Sequence, residues 1–236
     1  MSRRLSGSAS RSIHDGFVVW DTNGVSKSIY SHNYWKELRV VLLVVSSISK
    51  AYSSTEGMKQ SKLTSEFLNY RVNNLINKRI EETKKYIKNK NISGLCEITM
   101  KESNSLHSIC LDTFPPILYM NETSFYIIKC INLINGLFDN INTKEFICGY
   151  TFDAGANSYI ITTEDKLNDI INFLKIMLNY ENNLIYSDVL LKLKYYTELY
   201  KFNYDLCKEI YDKGRSSNFK IENIISFKPG IGAHLV

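Results

Sequence analysis

The feature that most constrains the fold is the apolar run from Leu38 to Ser46, in which valine and leucine dominate. A short run rich in β-branched residues is typical of a strand, and the lack of strict alternation favours burial on both faces. The run therefore predicts a central strand, around which the rest of the chain must pack.

Helical periodicity follows this strand. Apolar residues recur every three or four positions between Leu68 and Ile87, with lysine, arginine and glutamate on the opposite side, which predicts an amphipathic helix. A second helix is predicted over residues 92–111, before the helix-ending pair Pro115-Pro116, and a third over residues 122–138.

The second half of the chain predicts three more strands. Residues 146–152 and 159–163 have the pattern of strands joined by the tight connection Asp153–Asn157, and residues 221–227 have the pattern of a last strand. A helix is predicted over residues 164–178, and residues 180–218 are predicted to be partly helical. This order predicts an α+β fold of the ferredoxin-like type, an antiparallel sheet with helices on one face.

A domain boundary is predicted near the N-terminus. Residues 17–20 form a short strand-like run, and the polar stretch from Asp21 to Tyr34 contains the turn signal Asn23-Gly24. Residues 1–34 are therefore assigned to the end of a preceding domain and residues 35–236 to the main domain.

The composition argues against several classes of protein. The chain has 44% hydrophobic and 22% charged residues and a net charge of +5 without a Lys/Arg run, so nucleic-acid binding is not predicted. No apolar run approaches the roughly 20 residues of a membrane helix. The 5 cysteines and 4 histidines lack ligand spacing, which predicts reduced thiols and no protein-built metal site.

Three polar segments interrupt these patterns and are candidates for a functional site. The first runs from Ser6 to Ser12, where small hydroxyl residues suit an anion and an arginine suits a carboxylate or a phosphate. Its composition also fits a flexible tail or a mitochondrial presequence. The second runs from Ser53 to Met58, at a predicted helix start that favours an anion, with plain helix capping as the alternative.

The third segment is Asp153-Ala154-Gly155, in the connection between two predicted strands. Asp153 is either a turn residue that bonds its own backbone or a carboxylate poised near a substrate hydroxyl. His107 lies on a predicted helix and is interpreted as a structural, hydrogen-bonded histidine rather than a catalyst.

Five segments, in this order, closely resemble motifs of the mevalonate-diphosphate decarboxylase family, a branch of the GHMP kinase superfamily. They are Ser6–Ser12, Ser53–Met58, Thr99–His107, Cys110–Pro116 and Tyr150–Gly155. The similarity extends from about Ser6 to Leu178, with a fainter match over residues 224–232. It implies the ferredoxin-like C-terminal domain of that fold, preceded by the end of the N-terminal domain.

The resemblance implies an ATP- and magnesium-dependent carbon–carbon lyase of isoprenoid biosynthesis. Such an enzyme converts mevalonate diphosphate to isopentenyl diphosphate and releases carbon dioxide, ADP and phosphate. The tertiary hydroxyl is phosphorylated first, and loss of that phosphate leaves positive charge that must not be quenched while the carboxylate departs. A cytoplasmic homodimer is also implied.

The resemblance assigns roles to individual residues by motif. Asp153 is implied to be the base or orienting group toward the tertiary hydroxyl, and Arg11 is implied to hold the substrate carboxylate. The implied substrate-binding residues are Ser6, Gly7, Ser8, Ala9, Ser10, Arg11, Ser54, Thr55 and Met58. A substrate loop then explains the presequence-like composition of the N-terminus.

The sequence departs from the family pattern at three positions and in extent. Leu5 replaces the first glycine of a Gly-Ser-Gly-Ser loop, His14-Asp15-Gly16 replaces a double glycine, and Ala156 replaces a proline. The Lys-Tyr-Trp-Gly-Lys segment and the glycine-rich ATP loop of the family's N-terminal half are not found.

We therefore expect a C-terminal portion of such an enzyme, inactive by itself. The alternatives are a non-catalytic truncated remnant, or a sibling small-molecule kinase, against which the presence of both Arg11 and Asp153 argues.

Overall fold

The computed structural model describes residues 12–20, 24–45, 53–137, 145–180, 185–217, 219 and 221–231. The strands in these ranges are β1 (Phe17–Trp20), β2 (Ser26–Tyr30), β3 (Leu38–Val44), β4 (Cys148–Phe152), β5 (Ser158–Thr163) and β6 (Asn223–Phe227). The helices are α1 (Ser54–Thr64), α2 (Glu66–Asn74), α3 (Ile76–Lys88), α4 (Ile92–Asp112), α5 (Glu122–Ile134), α6 (Glu164–Met177), α7 (Tyr186–Tyr200) and α8 (Tyr204–Ser216).

The main sheet has 4 strands in the order β4-β5-β3-β6. Strand β3 pairs antiparallel with β5 and with β6, and β4 pairs antiparallel with β5. This is the strand order of the ferredoxin-like arrangement, so the predicted α+β fold is confirmed. The first crossover, from β3 to β4, contains helices α1 to α5.

Strand β3 is buried along one face, whereas its other face is buried only at Leu38, so the prediction of burial on both faces holds only at that end. Val41 and Leu43 are fully buried, whereas Val40, Leu42 and Val44 are half-buried. The covered face packs in one core with helices α5 and α6, represented by Ile127, Ile131, Ile170 and Leu174. An antiparallel sheet needs a cover on only one face, so a valine-rich run does not by itself require two.

The helix predicted over residues 68–87 is divided in the structure, and that prediction was wrong in its continuity. Helix α2 ends at Asn74 and α3 begins at Ile76. Arg71 of α2 and Arg79 of α3 both donate to the carboxylate of Glu102 on α4. Glu102 thus holds both helices against α4.

The end of helix α5 also differs from the sequence-based prediction, whereas residues 180–218 are partly helical as predicted. Helix α5 ends at Ile134 rather than near residue 138, because Gly136 adopts φ 64, a left-handed conformation that ends helices. The stretch over residues 180–218 contains two helices, α7 and α8, with Lys201 at φ 56 between them.

Residues near the N-terminus form the hairpin β1–β2, which pairs antiparallel around Gly24 at φ 70. The backbone N–H of Gly16 donates to the carbonyl of Gly230 at 2.9 Å, and the Tyr34 hydroxyl donates to the carbonyl of Lys88 at 2.6 Å. The hairpin therefore docks on the main domain, and the domain division after residue 34 stays a prediction.

Candidate active site

Asp153 lies directly after β4, in the turn that joins β4 to β5 at one end of the sheet. The residue is exposed, and its carboxylate accepts no hydrogen bond from the described part of the chain. The carboxylate is therefore not used to hold its own turn, which was the structural alternative in the sequence analysis.

Other groups hold the Asp153 turn in place. The Phe152 N–H donates to Ser103 Oγ on α4 at 3.0 Å, and Ser124 Oγ at the start of α5 donates to the Ala156 carbonyl at 3.0 Å. At the far end of the turn, the Val45 N–H donates to Asn157 Oδ1 at 2.9 Å. Two helices and the central strand thus fix the turn and leave the Asp153 carboxylate free for a ligand.

The start of α1 is a capped helix end and also offers free groups to an anion, the two alternatives that the sequence left open. Ser53 forms a capping box: its Oγ accepts from the Glu56 N–H at 3.1 Å, and its own N–H donates to Glu56 Oε2 at 3.2 Å. These bonds hold the pKa of Glu56 below its usual value. Ser54 and Thr55 are exposed in the first turn of the helix and take no part in this cap, so their hydroxyl groups can meet an anion.

Tyr119 connects the start of α1 with the Asp153 turn, although the sequence analysis did not single it out. Its hydroxyl donates to the carbonyl of Ser53 at 3.3 Å. Burial raises the pKa of Tyr119, and the carboxylates of Asp153 and Glu56 raise it further. One phenol therefore bonds to the α1 start and lies within electrostatic reach of Asp153.

His107 also approaches this site, on helix α4. Its ring is buried and meets the ring of Phe152 edge-on, with centroids 6.2 Å apart. Burial lowers the pKa of His107, while the Phe152 backbone and the charge of Asp153 oppose that shift. The imidazole is therefore neutral near pH 7, as expected for a structural histidine, but its Nε2 has no hydrogen-bond partner among the described residues.

The structure describes only part of the predicted site. Asp153 and the α1 start, with Ser54, Thr55 and Met58, lie in the described part of the chain, and Met58 is 65% exposed. The other predicted residues lie outside the described residues: Ser6, Gly7, Ser8, Ala9, Ser10 and Arg11. Their assignment to a substrate loop stays a prediction.

The described end of that predicted loop is held firmly. Asp15 Oδ1 accepts from the His32 backbone N–H at 3.2 Å and lies 2.6 Å from His32 Nδ1. Gly16 adopts φ 63, and a methyl group there would overlap the backbone of Ser31 and His32. The residues that replace the double glycine of the family therefore anchor the chain to β2.

No group of three or more His, Cys, Asp or Glu side chains in the described part of the chain could hold a metal ion. No helix there is long and apolar enough to cross a membrane.

The strand order and the free carboxylate at the sheet end define a ferredoxin-like α+β domain with a candidate small-molecule site beside α1. A family model described as the mevalonate 5-diphosphate decarboxylase C-terminal domain matches residues 40–236. The chain therefore belongs to the mevalonate 5-diphosphate decarboxylase family, and the resemblance found in the sequence is confirmed.

Known relatives agree with this assignment. The diphosphomevalonate decarboxylase of Candida albicans is 39% identical over 181 residues, which cover 74% of this chain and 48% of that protein. The chain thus spans about half the length of the curated relatives it matches.

Solved structures agree as well. Mevalonate diphosphate decarboxylase from Trypanosoma brucei superposes with a TM-score of 0.76 at 26% identity, covering 96% of this chain and 60% of that one. A structure described as MDDEF in complex with MVAPP, AMPPCP and magnesium has a TM-score of 0.61 at 28% identity, covering 73% of this chain and 52% of that one.

The contact between Gly57 and Tyr119 gives a first testable prediction. A methyl group on Gly57 would overlap the Tyr119 hydroxyl. We expect Gly57→Ala to displace that hydroxyl from Ser53 and to lower the free energy of unfolding by about 1–3 kcal/mol. Chemical denaturation of the purified chain measures this loss.

A double-mutant cycle with Tyr119→Phe serves as the control. Phenylalanine removes the overlapping oxygen, so Gly57→Ala should cost less in the Tyr119→Phe background than in the wild type. Equal costs in the two backgrounds would show that Gly57 and the hydroxyl do not meet.

Proposed function

We propose that this chain is the decarboxylase portion of an enzyme that converts mevalonate diphosphate and ATP to isopentenyl diphosphate, carbon dioxide, ADP and phosphate. The observation that carries the proposal is the free Asp153 carboxylate, on a turn fixed by Ser103 of α4 and Ser124 of α5. A general base must be both held in position and unbound in this way.

In the proposed reaction Asp153 orients the tertiary hydroxyl of the substrate or accepts its proton. The hydroxyl oxygen attacks the terminal phosphorus of ATP. The new oxygen–phosphorus bond replaces the bond between that phosphorus and ADP. The carbon–oxygen bond to the new phosphate then breaks. The carbon–carbon bond to the carboxylate also breaks, and its electron pair forms the double bond as carbon dioxide leaves. Atoms and charge balance without an oxidant or a reductant.

The second proposed role belongs to the groups that hold the substrate anions. Ser54 and Thr55 offer exposed hydroxyl groups in the first turn of α1, where backbone amides and the helix dipole also favour negative charge. The Ser6–Ser10 segment would form the rest of the binding surface, and Arg11 would hold the departing carboxylate by a bidentate pair. Met58 would pack against the carbon skeleton.

ATP and magnesium enter the proposal from the family. A related structure holds MVAPP, the ATP analogue AMPPCP and magnesium. The hydroxyl groups at the α1 start fit a phosphate, whereas the described residues offer no acidic cluster for a metal. Magnesium therefore enters as the counter-ion of ATP, where it would offset phosphate charge.

A homodimer in the cytoplasm is part of the same proposal. Leu63 and Phe114 are 79% and 75% exposed, and the Phe114 N–H bonds Thr64 Oγ1 beside Leu63. Two such neighbouring side chains favour a protein contact over open solvent. All 5 cysteines are buried and free, which fits a reducing compartment.

The proposal is tested by turnover of mevalonate diphosphate with magnesium and ATP, with release of ADP and of carbon dioxide measured separately. Two samples are compared: residues 1–236 alone, and the same residues joined to the preceding half of the Candida albicans relative. We expect no turnover by residues 1–236 alone, and coupled release of both products by the joined chain.

The two products separate the alternatives. ADP without carbon dioxide from the joined chain would identify a small-molecule kinase instead. Neither product, from a joined chain that is folded by circular dichroism, would favour the non-catalytic alternative. ADP release by residues 1–236 alone would contradict the expectation that this portion is inactive.

A further inference from the structure

Two buried polar atoms in the described part of the chain have no hydrogen-bond partner there, His107 Nε2 and Ser158 Oγ. Both lie at the base of the Asp153 turn. Ser158 is the cross-strand partner of Phe152 in the last pair of the β4–β5 ladder, and His107 meets the Phe152 ring edge-on. Residues that pair directly across two strands have their side chains on the same face.

Helix α4 contacts this end of β4 through neighbouring side chains of one motif. Ser103 accepts the Phe152 N–H at 3.0 Å, and His107 follows Ser103 by four residues, on the same face of the helix. Asn104 Oδ1 accepts the Tyr150 hydroxyl at 3.0 Å. The Ser103–His107 segment, to which no role was assigned, is thus the part of α4 that holds the strand ending in Asp153.

A hydrogen bond with the Phe152 backbone accounts for one ring nitrogen of His107 but leaves Nε2 without a partner among the described residues. The ring is 5% exposed, and a buried nitrogen without a partner costs free energy that phenylalanine would not cost. Phenylalanine would fill a similar volume and could keep the edge-on contact with Phe152, but it would lose the hydrogen bond to the Phe152 backbone. The imidazole therefore holds the residue before Asp153 by a bond that an apolar ring cannot replace, and its second nitrogen is an orphaned buried polar atom at the base of the turn.

Resting on the proposed function, we propose that His107 is a positioning residue for the reaction, acting on Asp153 through the Phe152 backbone and through the field at the turn. Ser103 holds the N–H side of Phe152, and His107 packs against its ring and backbone. Together they fix the last residue before Asp153. The carboxylate then keeps one orientation toward the substrate hydroxyl.

The electrostatic neighbours of His107 agree with this role. The charge of Asp153 raises the pKa of His107, although burial has the larger, opposite effect. Among other titratable groups nearby, Cys110 on the same helix has a raised pKa because it is buried, so its thiol is uncharged. Tyr119 is likewise held neutral by a raised pKa. Asp153 is therefore the charged group that acts on the imidazole.

The first test compares His107→Phe with a matched control, Tyr126→Phe. Tyr126 is a buried ring on α5 whose hydroxyl donates to the Met177 carbonyl at 3.1 Å, away from the Asp153 turn. In the joined chain, we expect His107→Phe to fold, because the ring volume is kept, and to lower kcat by on the order of 10- to 100-fold, with KM little changed. Tyr126→Phe should lose stability and keep kcat.

A second measurement needs no turnover. The ring nitrogens of His107 in residues 1–236 are observed by 15N nuclear magnetic resonance as pH is varied, in the wild type, in Asp153→Asn and in the surface control Asp165→Asn. We expect Asp153→Asn to lower the titration midpoint of His107 and Asp165→Asn to leave it unchanged.

The outcomes separate this inference from the proposed function. Wild-type kcat in a stable His107→Phe variant, or a His107 ring that ignores Asp153→Asn, overturns the positioning role. If His107→Phe does not fold, His107→Asn takes its place in the kinetic test, and only reduced kcat at unchanged KM supports the role. Absence of turnover in wild type contradicts the proposed function, while the ring measurement still decides whether His107 and Asp153 are coupled.

Discussion

Replacement of Asp153 by asparagine is expected to abolish decarboxylation and to leave the fold intact. Asparagine has the shape of aspartate but cannot accept the hydroxyl proton, and a general base contributes about 10²- to 10⁴-fold to a rate. The exposed carboxylate makes no hydrogen bond within the described residues, so no structural contact is lost. Rates of carbon dioxide and ADP release by the joined chain, with circular dichroism and unfolding temperature, measure both halves of this prediction.

Asp165→Asn is the matched control for this substitution. Asp165 lies in the first turn of α6 and is paired with Lys166 at 3.6 Å, outside the site. The Asp165→Asn variant should keep the wild-type rate of turnover. Turnover by Asp153→Asn within a few-fold of the control would remove Asp153 from its proposed role.

The second large effect is expected from Gly149→Ala, which tests how α4 is seated on β4. A methyl group at Gly149 would lie 2.8 Å from Cys96 Cα and 2.9 Å from the Cys96 carbonyl oxygen. These are backbone atoms of a buried helix, so no side chain can rotate away. We expect the free energy of unfolding to fall by about 1–3 kcal/mol, because overpacking forces the helix and the strand apart.

The same displacement should reduce activity, since α4 carries the Ser103 hydroxyl that accepts the Phe152 N–H before Asp153. Chemical denaturation and turnover of the same variant report the two effects. Gly230→Ala is the control, because no described heavy atom lies within 4 Å of the added methyl group. Equal unfolding free energies for the two variants would show that α4 does not approach β4 this closely.

Local sequence patterns predicted much of the fold because they record which face of an element is buried. The valine-rich run gave the central strand β3, and the order of strands and helices gave the ferredoxin-like sheet. Helices α4 and α6 were predicted to within one residue at each end. The division at Leu75 was missed, and so was the shared partner of the two helices, Glu102 of α4, which binds Arg71 and Arg79.

The site was predicted in a similar, partial way. Motif resemblance indicated Asp153 and the α1 start, but it did not indicate Tyr119, and His107 was interpreted as structural only. Tyr119 meets Ser53 across 66 positions of sequence, and Ser103 meets Phe152 across 49. Hydrogen bonds over such separations leave no periodic signal in the sequence.

The sequence by itself determined the family and the strand order, since these depend on local burial patterns and on short motifs, and it singled out Asp153 as the proposed catalytic residue. Only the tertiary structure decided how Asp153 is held. Its turn is fixed by Ser103, Ser124 and Val45, from two helices and a strand that are distant in sequence. The physical reason is that a free carboxylate can be positioned only by partners around it, and packing alone brings those partners together.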